Sequence, residues 1–248
     1  MHKAILIDDE PLASSMVKEY LEPFKEIEVV AVCQDGFEGL KAIQSLQPDL
    51  IFLDIQMPKI NGFEMLELLE EPPAVVFTTA FDEYAIRAFE HHAVDYLLKP
   101  FSQERFDKAV QRYLSSHPQR AAEQTRALLD TAAVSPQQMD RVVIRDNSRI
   151  RIIPIEEIQY IEAADDYAKI ITAQGSFLKN RTMAAFEKQL PTASFVRIHR
   201  SYIVHVAQIT QLFPHDKENY TATLRNGAQL PVSKTGYAKL REVLGMNK

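Results

Sequence analysis

FLDIQMPKING, residues 52–62, is the stretch on which the fold turns. It opens as an apolar run and breaks on an acid, Asp54. Met57-Pro58 and Asn61-Gly62 follow at once and end any strand. A lone buried carboxylate is costly unless it is paired or bound to a cation. Asp54 is therefore either a turn residue that reaches water or a residue that awaits a partner.

The same pattern extends outward on both sides. Short apolar runs recur as AILI (4–7), VVAV (29–32), LIFL (50–53), AVVF (74–77) and DYLL (95–98). Between them, PLASSMVKEYL (11–21) sets Leu12, Met16 and Tyr20 four apart. GFEGLKAIQSL (36–46) sets Phe37, Leu40 and Ile43 three apart, with Ala42 and Leu46 extending the stripe. These are amphipathic helical spacings. GFEMLELLEE (62–71), DEYAIRAFEHH (82–92) and SQERFDKAVQRYL (102–114) read as a third, fourth and fifth helix. Continuous apolar strands alternating with helices predict an α/β unit over residues 1–116, a doubly wound five-stranded parallel sheet covered on both faces.

The pattern then changes. Residues 117–138 are dominated by Pro, Ser, Gln and Ala and read as a partly helical linker. Residues 139–248 read as a mainly β unit. It has paired runs around Asp146-Asn147-Ser148, Gln174-Gly175 and Asn226-Gly227, and one short helix, MAAFEKQL (183–190). Charge divides at the same place. Residues 1–140 hold 12 Lys+Arg against 24 Asp+Glu, whereas residues 141–248 hold 16 against 10. A basic unit joined to an acidic one suggests two tasks, the basic one directed at a polyanion. No apolar run nears the ~20 residues of a membrane helix, the N-terminus lacks a signal-peptide layout, and one cysteine, Cys33, permits no internal disulfide. A cytoplasmic protein is expected.

In an open parallel sheet, ligands bind beyond the carboxyl ends of the strands. The polar residues closing the runs are Asp8-Asp9, Asp54, Thr78-Thr79 and Lys99. One sheet edge therefore gathers three carboxylates, hydroxyls and an ammonium. Clustered carboxylates repel unless a cation joins them, and Mg2+ suits oxygen ligands and keeps waters for a phosphate to displace. With the metal, Asp54 stays ionised and can act as an oxygen nucleophile toward a phosphoryl group, aided by Lys99 and a hydroxyl.

ILIDDEP, FLDIQMPKING, VVFTTAFDEYA and DYLLKPF resemble the receiver domain of two-component response regulators, a flavodoxin-like fold, over about residues 1–114. The resemblance implies Asp54 as phosphoacceptor from a sensor histidine kinase. It implies Asp8, Asp9, Asp54 and the backbone carbonyl of Gln56 as Mg2+ ligands, Lys99 as the catalytic lysine, and Thr79 and Tyr96 as switch residues, with Thr78 in the core. It further implies a homodimer on phosphorylation. Asp82, Glu83, Arg87, Glu90, Asp95, Arg105, Asp107 and Arg112 are candidates to pair across a two-fold axis.

In the basic unit no helix-turn-helix or zinc-finger spacing is present. Arg197, His199, Arg200, Arg225, Lys234, Lys179 and Arg181 lie at expected strand ends and turns, where phosphate and base contacts arise. IQYIEAADDYAKI, FVRIHRSYIV and LPVSKTGYAKL resemble the LytTR-type DNA-binding domain over about residues 139–244. That implies loops entering successive major grooves of double-stranded DNA, usually as dimers on direct repeats. The facing segments would lie near Asp165-Asp166, around Arg200-Ser201, and at Ser233-Lys234-Thr235. Two positions depart from the common pattern. His205 stands where many members have Asn, and Lys234-Thr235 stands where Arg-Arg is common. Asp166 either accepts from a cytosine amino group or stays back from the DNA.

The resulting expectation is a phosphorylation-dependent transcription regulator, not an enzyme. One alternative is a receiver-controlled protein- or RNA-binding module. The other is a magnesium phosphohydrolase, which in its commonest pattern needs an acid two residues after the nucleophile, where this chain has Gln56.

Overall fold

The structure, a computed structural model, describes residues 1–80, 94–115, 140–146, 149–165, 167–214 and 220–246. The chain divides into two units, Met1–Ala132 and Ala133–Lys248. The expected helix over 82–92, the linker over 117–138 and Asp166 lie outside the described residues.

In the first unit, five strands form one parallel sheet: β1 (His2–Ile7), β2 (Ile27–Cys33), β3 (Leu50–Leu53), β4 (Ala74–Thr79) and β5 (Asp95–Leu98). Their spatial order is β2-β1-β3-β4-β5, all pairs parallel. The order reverses between β1 and β3, which opens a crevice at their carboxyl ends. Ile5, Leu6, Ile7 and all of Leu50–Leu53 are buried, as strands covered on both faces must be. The helices are α1 (Pro11–Leu21), α2 (Gly36–Leu46), α3 (Gly62–Leu66) and α4 (Gln103–Ser115).

Two helical expectations are corrected. The buried face of α1 is Ala13, Ser14, Val17 and Leu21, while Leu12 is 86% exposed. Met16 and Tyr20 only flank the core. Leu12 sits in the first turn of the helix and faces water. Helix α3 stops at Leu66 instead of running to residue 71. Its start is fixed by a capping box, in which Asn61 Oδ1 accepts from Glu64 N (2.9 Å) and Glu64 Oε2 accepts from Asn61 N (2.8 Å).

The second unit is mainly antiparallel. A hairpin of β6 (Arg141–Asp146) and β7 (Arg149–Pro154) precedes a five-stranded sheet. That sheet has the order β10-β9-β8-β12-β11, built from β8 (Ile158–Ala164), β9 (Tyr167–Thr172), β10 (Gly175–Lys179), β11 (Phe195–His199) and β12 (Tyr202–His205). A three-stranded sheet follows, β13 (Ile209–Pro214), β14 (Tyr220–Leu224) and β15 (Gln229–Val232). The turns at Gly175 (φ 139°) and Gly227 (φ 85°) use the left-handed freedom of glycine, as the hairpin signals predict.

Helix α5 (Met183–Gln189) is the expected one. A further helix, α6 (Lys234–Val243), was not expected: the sequence reading gave this unit one short helix and placed Lys234 at a strand end or turn. Ser233 caps it, its Oγ accepting from Gly236 N (3.1 Å). Gly236 looks like a helix breaker but answers a close approach: a Cβ there would lie 2.0 Å from the Ile198 carbonyl oxygen. Leu240 on α6 joins Val196, Ile198, Val204 and Val232 in the core beneath the three-stranded sheet.

Candidate functional site

The crevice of the first unit answers the question raised by Asp54. The segment after it is anchored by buried Ile55, Met57 and Ile60, and Gly62 N donates back to Ile55 O (2.9 Å). Asp54 N donates to Ile7 O (2.9 Å) and Asp8 N to Cys33 O (3.0 Å), so both acids emerge at the same sheet edge. One carboxylate oxygen from each of Asp8, Asp9 and Asp54 lies within 4.8 Å of the other two. Asp8 and Asp54 are buried, whereas Asp9 is more open.

Lys99 closes the cluster from the end of β5, its backbone N–H donating to Thr79 O (2.8 Å). Its ammonium reaches Asp8 Oδ2 at 2.8 Å, Asp54 Oδ2 at 3.1 Å and Glu10 Oε2 at 3.1 Å. Burial works against the Lys99 charge, but the Asp8 and Asp54 carboxylates outweigh it and raise the pKa. Burial raises the Asp8 pKa, and Lys99 and the Glu10 amide (3.0 Å) only partly oppose it. The other Asp54 oxygen, Oδ1, accepts from Gln56 N (3.1 Å).

The donor set fits a divalent cation. It offers three hard carboxylates, two of them buried. Asp8 Oδ2 lies 2.8 Å from the Lys99 ammonium, and a carboxylate oxygen in that ion pair keeps a lone pair to offer a cation. The Gln56 side chain is exposed.

Thr78 and Thr79 are both fully buried at the end of β4. Tyr96 is half-buried, its ring 6.1 Å from that of Phe77. Of the charged residues expected to pair across a two-fold axis, Asp95 is buried and engaged within the chain. Arg105 binds its carboxylate and also donates to Tyr96 O (2.7 Å), and Arg112 lies 3.2 Å away. Asp82, Glu83, Arg87 and Glu90 lie outside the described residues.

In the second unit the structure gathers one basic group and separates another. Arg197, His199, Arg200, Ser233 and Thr235 line one cleft together with Glu187 and Lys239, neither of which the sequence reading singled out. They come from α5 and from the unforeseen α6, and only the fold brings them together. Ser201 N donates to His199 Nδ1 (3.2 Å), which closes the turn that carries Arg200. Lys234 is the first residue of α6 and is exposed.

Lys179 was expected among DNA-facing residues, but it is 8% exposed and its ammonium donates to Val143 O (2.7 Å). It ties β10 to β6 and is not presented to a phosphate. Arg181 lies over the Phe186 ring, 5.6 Å from its centre. His205 packs edge-on to Phe195, and burial lowers its pKa.

No described helix is long and apolar enough to cross a membrane. Comparison with known families finds a response regulator receiver domain over residues 4–111 and a LytTr DNA-binding domain over residues 148–245. The sensory transduction protein LytT of Bacillus anthracis is 34% identical over 247 residues, 98% of this chain and 99% of that one. The transcriptional regulatory protein BtsR of Escherichia coli K12 is 34% identical over 249 residues, 99% of this chain and all of that one. A solved LytTr DNA-binding domain from Bacillus cereus is 27% identical, with a TM-score of 0.41, covering 43% of this chain and 98% of that domain. With both domains matched and full-length relatives at this identity, the chain belongs to the DNA-binding response regulators of two-component systems that join a receiver domain to a LytTR domain.

Proposed function

We propose that Asp54 accepts a phosphoryl group from a sensor histidine kinase, and that the aspartyl phosphate favours a homodimer binding direct repeats in promoter DNA. The observation that carries this reading is the convergence of Asp8, Asp9 and Asp54 within 4.8 Å, with the Lys99 ammonium 3.1 Å from Asp54. In the step, an Asp54 oxygen attacks phosphorus as the P–N bond to the kinase's phosphohistidine breaks. The bonding pair returns to the imidazole, which takes up a proton. Lys99 neutralises charge on the transferring oxygens.

Asp8, Asp9, Asp54 and the Gln56 carbonyl would hold Mg2+, which supplies further charge neutralisation there. Thr79 then turns toward the phosphoryl group and Tyr96 inward, repacking the surface beside β5. With Gln56 two residues after Asp54, the site lacks the second acid of a phosphohydrolase, and it serves as an acceptor without ester turnover. In the second unit, His199, Arg200, Ser201 and Lys234 meet DNA, with Arg181 and Asp166 nearby. The protein works in the cytoplasm.

Intact-mass measurement after incubation with acetyl phosphate and Mg2+ tests the acceptor. One phosphoryl group on the wild type and none on Asp54→Asn is expected. Undiminished labelling of Asp54→Asn would refute the assignment.

A further inference from the structure

The turn that carries Arg200 is held from two sides. Strands β11 and β12 slip register between Arg197, opposite Ile203, and His199, opposite Tyr202. Such a bulge takes a carbonyl out of the ladder and re-aims the following side chains. Here Ile198 O turns to α6 and accepts from both Ser233 N (2.9 Å) and Ser233 Oγ (3.1 Å). That pins one side of the turn to the helix start.

Arg197 pins the other side. Its Nη1 donates to Glu187 Oε2 (2.9 Å) and its Nη2 to the backbone carbonyl of Arg200 (2.9 Å). Both ends of the guanidinium are committed inside the unit, and the side chain is 26% exposed. Glu187 is held in turn by Lys239 Nζ on α6 (2.7 Å). Burial disfavours the Glu187 charge, but its bonds to Lys239 and Arg197 outweigh burial and lower its pKa. Arg200 differs. It is exposed, and among the described residues no hydrogen bond or ion pair engages its guanidinium. A planar fork with two fixed partners locks geometry in a way a lysine cannot.

We propose that Arg197 is a positioning residue and not a DNA contact: clamped by Glu187, which Lys239 holds in turn, it fixes the carbonyl of Arg200 and so aims the Arg200 side chain at DNA. The inference rests on the reading that Arg200 meets DNA. It predicts that Arg197 governs discrimination between sequences and leaves the count of phosphate contacts unchanged.

The test uses the full chain with beryllofluoride. Its probes are a duplex enriched from a random library by the wild type and a scrambled duplex of equal length, each titrated over a salt series. Arg197→Lys and Glu187→Gln should each weaken binding to the enriched duplex by about tenfold, within the range that one well-made base contact supplies. Both should leave scrambled-duplex binding and the slope of log K against log salt unchanged. In an Arg200→Ala background neither should weaken binding further, because Arg197 acts through Arg200.

A slope shallower by about 0.9, the loss of one phosphate contact, would overturn the inference. So would additive losses in the double variants, or tighter binding by Glu187→Gln. Wild-type affinity of Arg200→Ala would instead overturn the underlying DNA reading of this turn. Glu187→Gln preserves size and carries the test should Arg197→Lys fail to fold.

Discussion

Lys99→Met isolates what the ammonium does for the acidic crevice. The Lys99 side chain is 12% exposed and those of Asp8 and Asp54 are 4% and 7% exposed, so the cluster is shielded from water. Two unit charges 3 Å apart attract by about 5 kcal/mol at an effective dielectric of 20, and desolvation offsets much of this. Removing one member of such a buried group costs about 3–5 kcal/mol because the remaining charges are left uncompensated. For a unit of this size that lowers the melting temperature by about 10–20 °C.

The loss depends on pH with a definite sign. Burial already raises the folded-state pKa of Asp8, and Lys99 opposes that rise. Without Lys99 the rise is larger. The protonated folded form is then favoured below the unfolded value, and that stability is lost as pH climbs through the raised folded value. The variant should therefore be near wild type at acidic pH and weakest near neutrality. Mg2+ no longer competes with an ammonium, so it should stabilise the variant more than the wild type. At 100-fold excess over Kd it would return about 2.7 kcal/mol. Scanning calorimetry with EDTA or Mg2+ at two pH values reads all of this. A metal-free variant within about 1 kcal/mol of wild type at neutral pH, or equal Mg2+ shifts, would contradict this role of Lys99.

Other outcomes follow from single contacts. Gly236→Ala places a Cβ against the Ile198 carbonyl and should destabilise the second unit by about 2 kcal/mol, the scale of an overpacked core; denaturant unfolding checks it, and a neutral effect would contradict the close approach. Leu12→Ser should change stability by less than about 0.5 kcal/mol, while Val17→Ala costs about 2 kcal/mol, reversing the order that the helical stripe suggests. Because the Asp8 pKa is raised, Mg2+ binding should expel protons and weaken as pH falls through that value. Calorimetric titration in buffers of different ionisation enthalpy reads the release, and a buffer-independent heat at mildly acidic pH would contradict it.

The receiver fold was legible because strands buried on both faces read as unbroken apolar runs. The residues that close them, Asp8, Asp54 and Lys99, then fall on one edge by topology alone. The hairpins were legible because Gly175 and Gly227 occupy left-handed turn positions. Four features were not. The buried face of α1 includes Ala13 and Ser14, which carry little hydrophobic signal, whereas the more apolar Leu12 faces water. Helix α6 was hidden by Gly236, whose role is to let a helix approach a bulged strand. Lys179 reads as a surface base in sequence, yet an inward strand end with a carbonyl to satisfy buries it. The Glu187–Arg197–Lys239 cluster joins three distant elements, and no local spacing could reveal it.

The proposed function couples chemistry at Asp54 to DNA binding elsewhere in the chain. Selection from a random duplex library at fixed salt, with and without magnesium beryllofluoride, for wild type and Asp54→Asn, tests that coupling. Wild type should enrich a spaced direct repeat more strongly with the phosphoryl mimic, and Asp54→Asn should not respond. Equal enrichment by wild type in both conditions, or a response surviving in Asp54→Asn, would contradict the coupling.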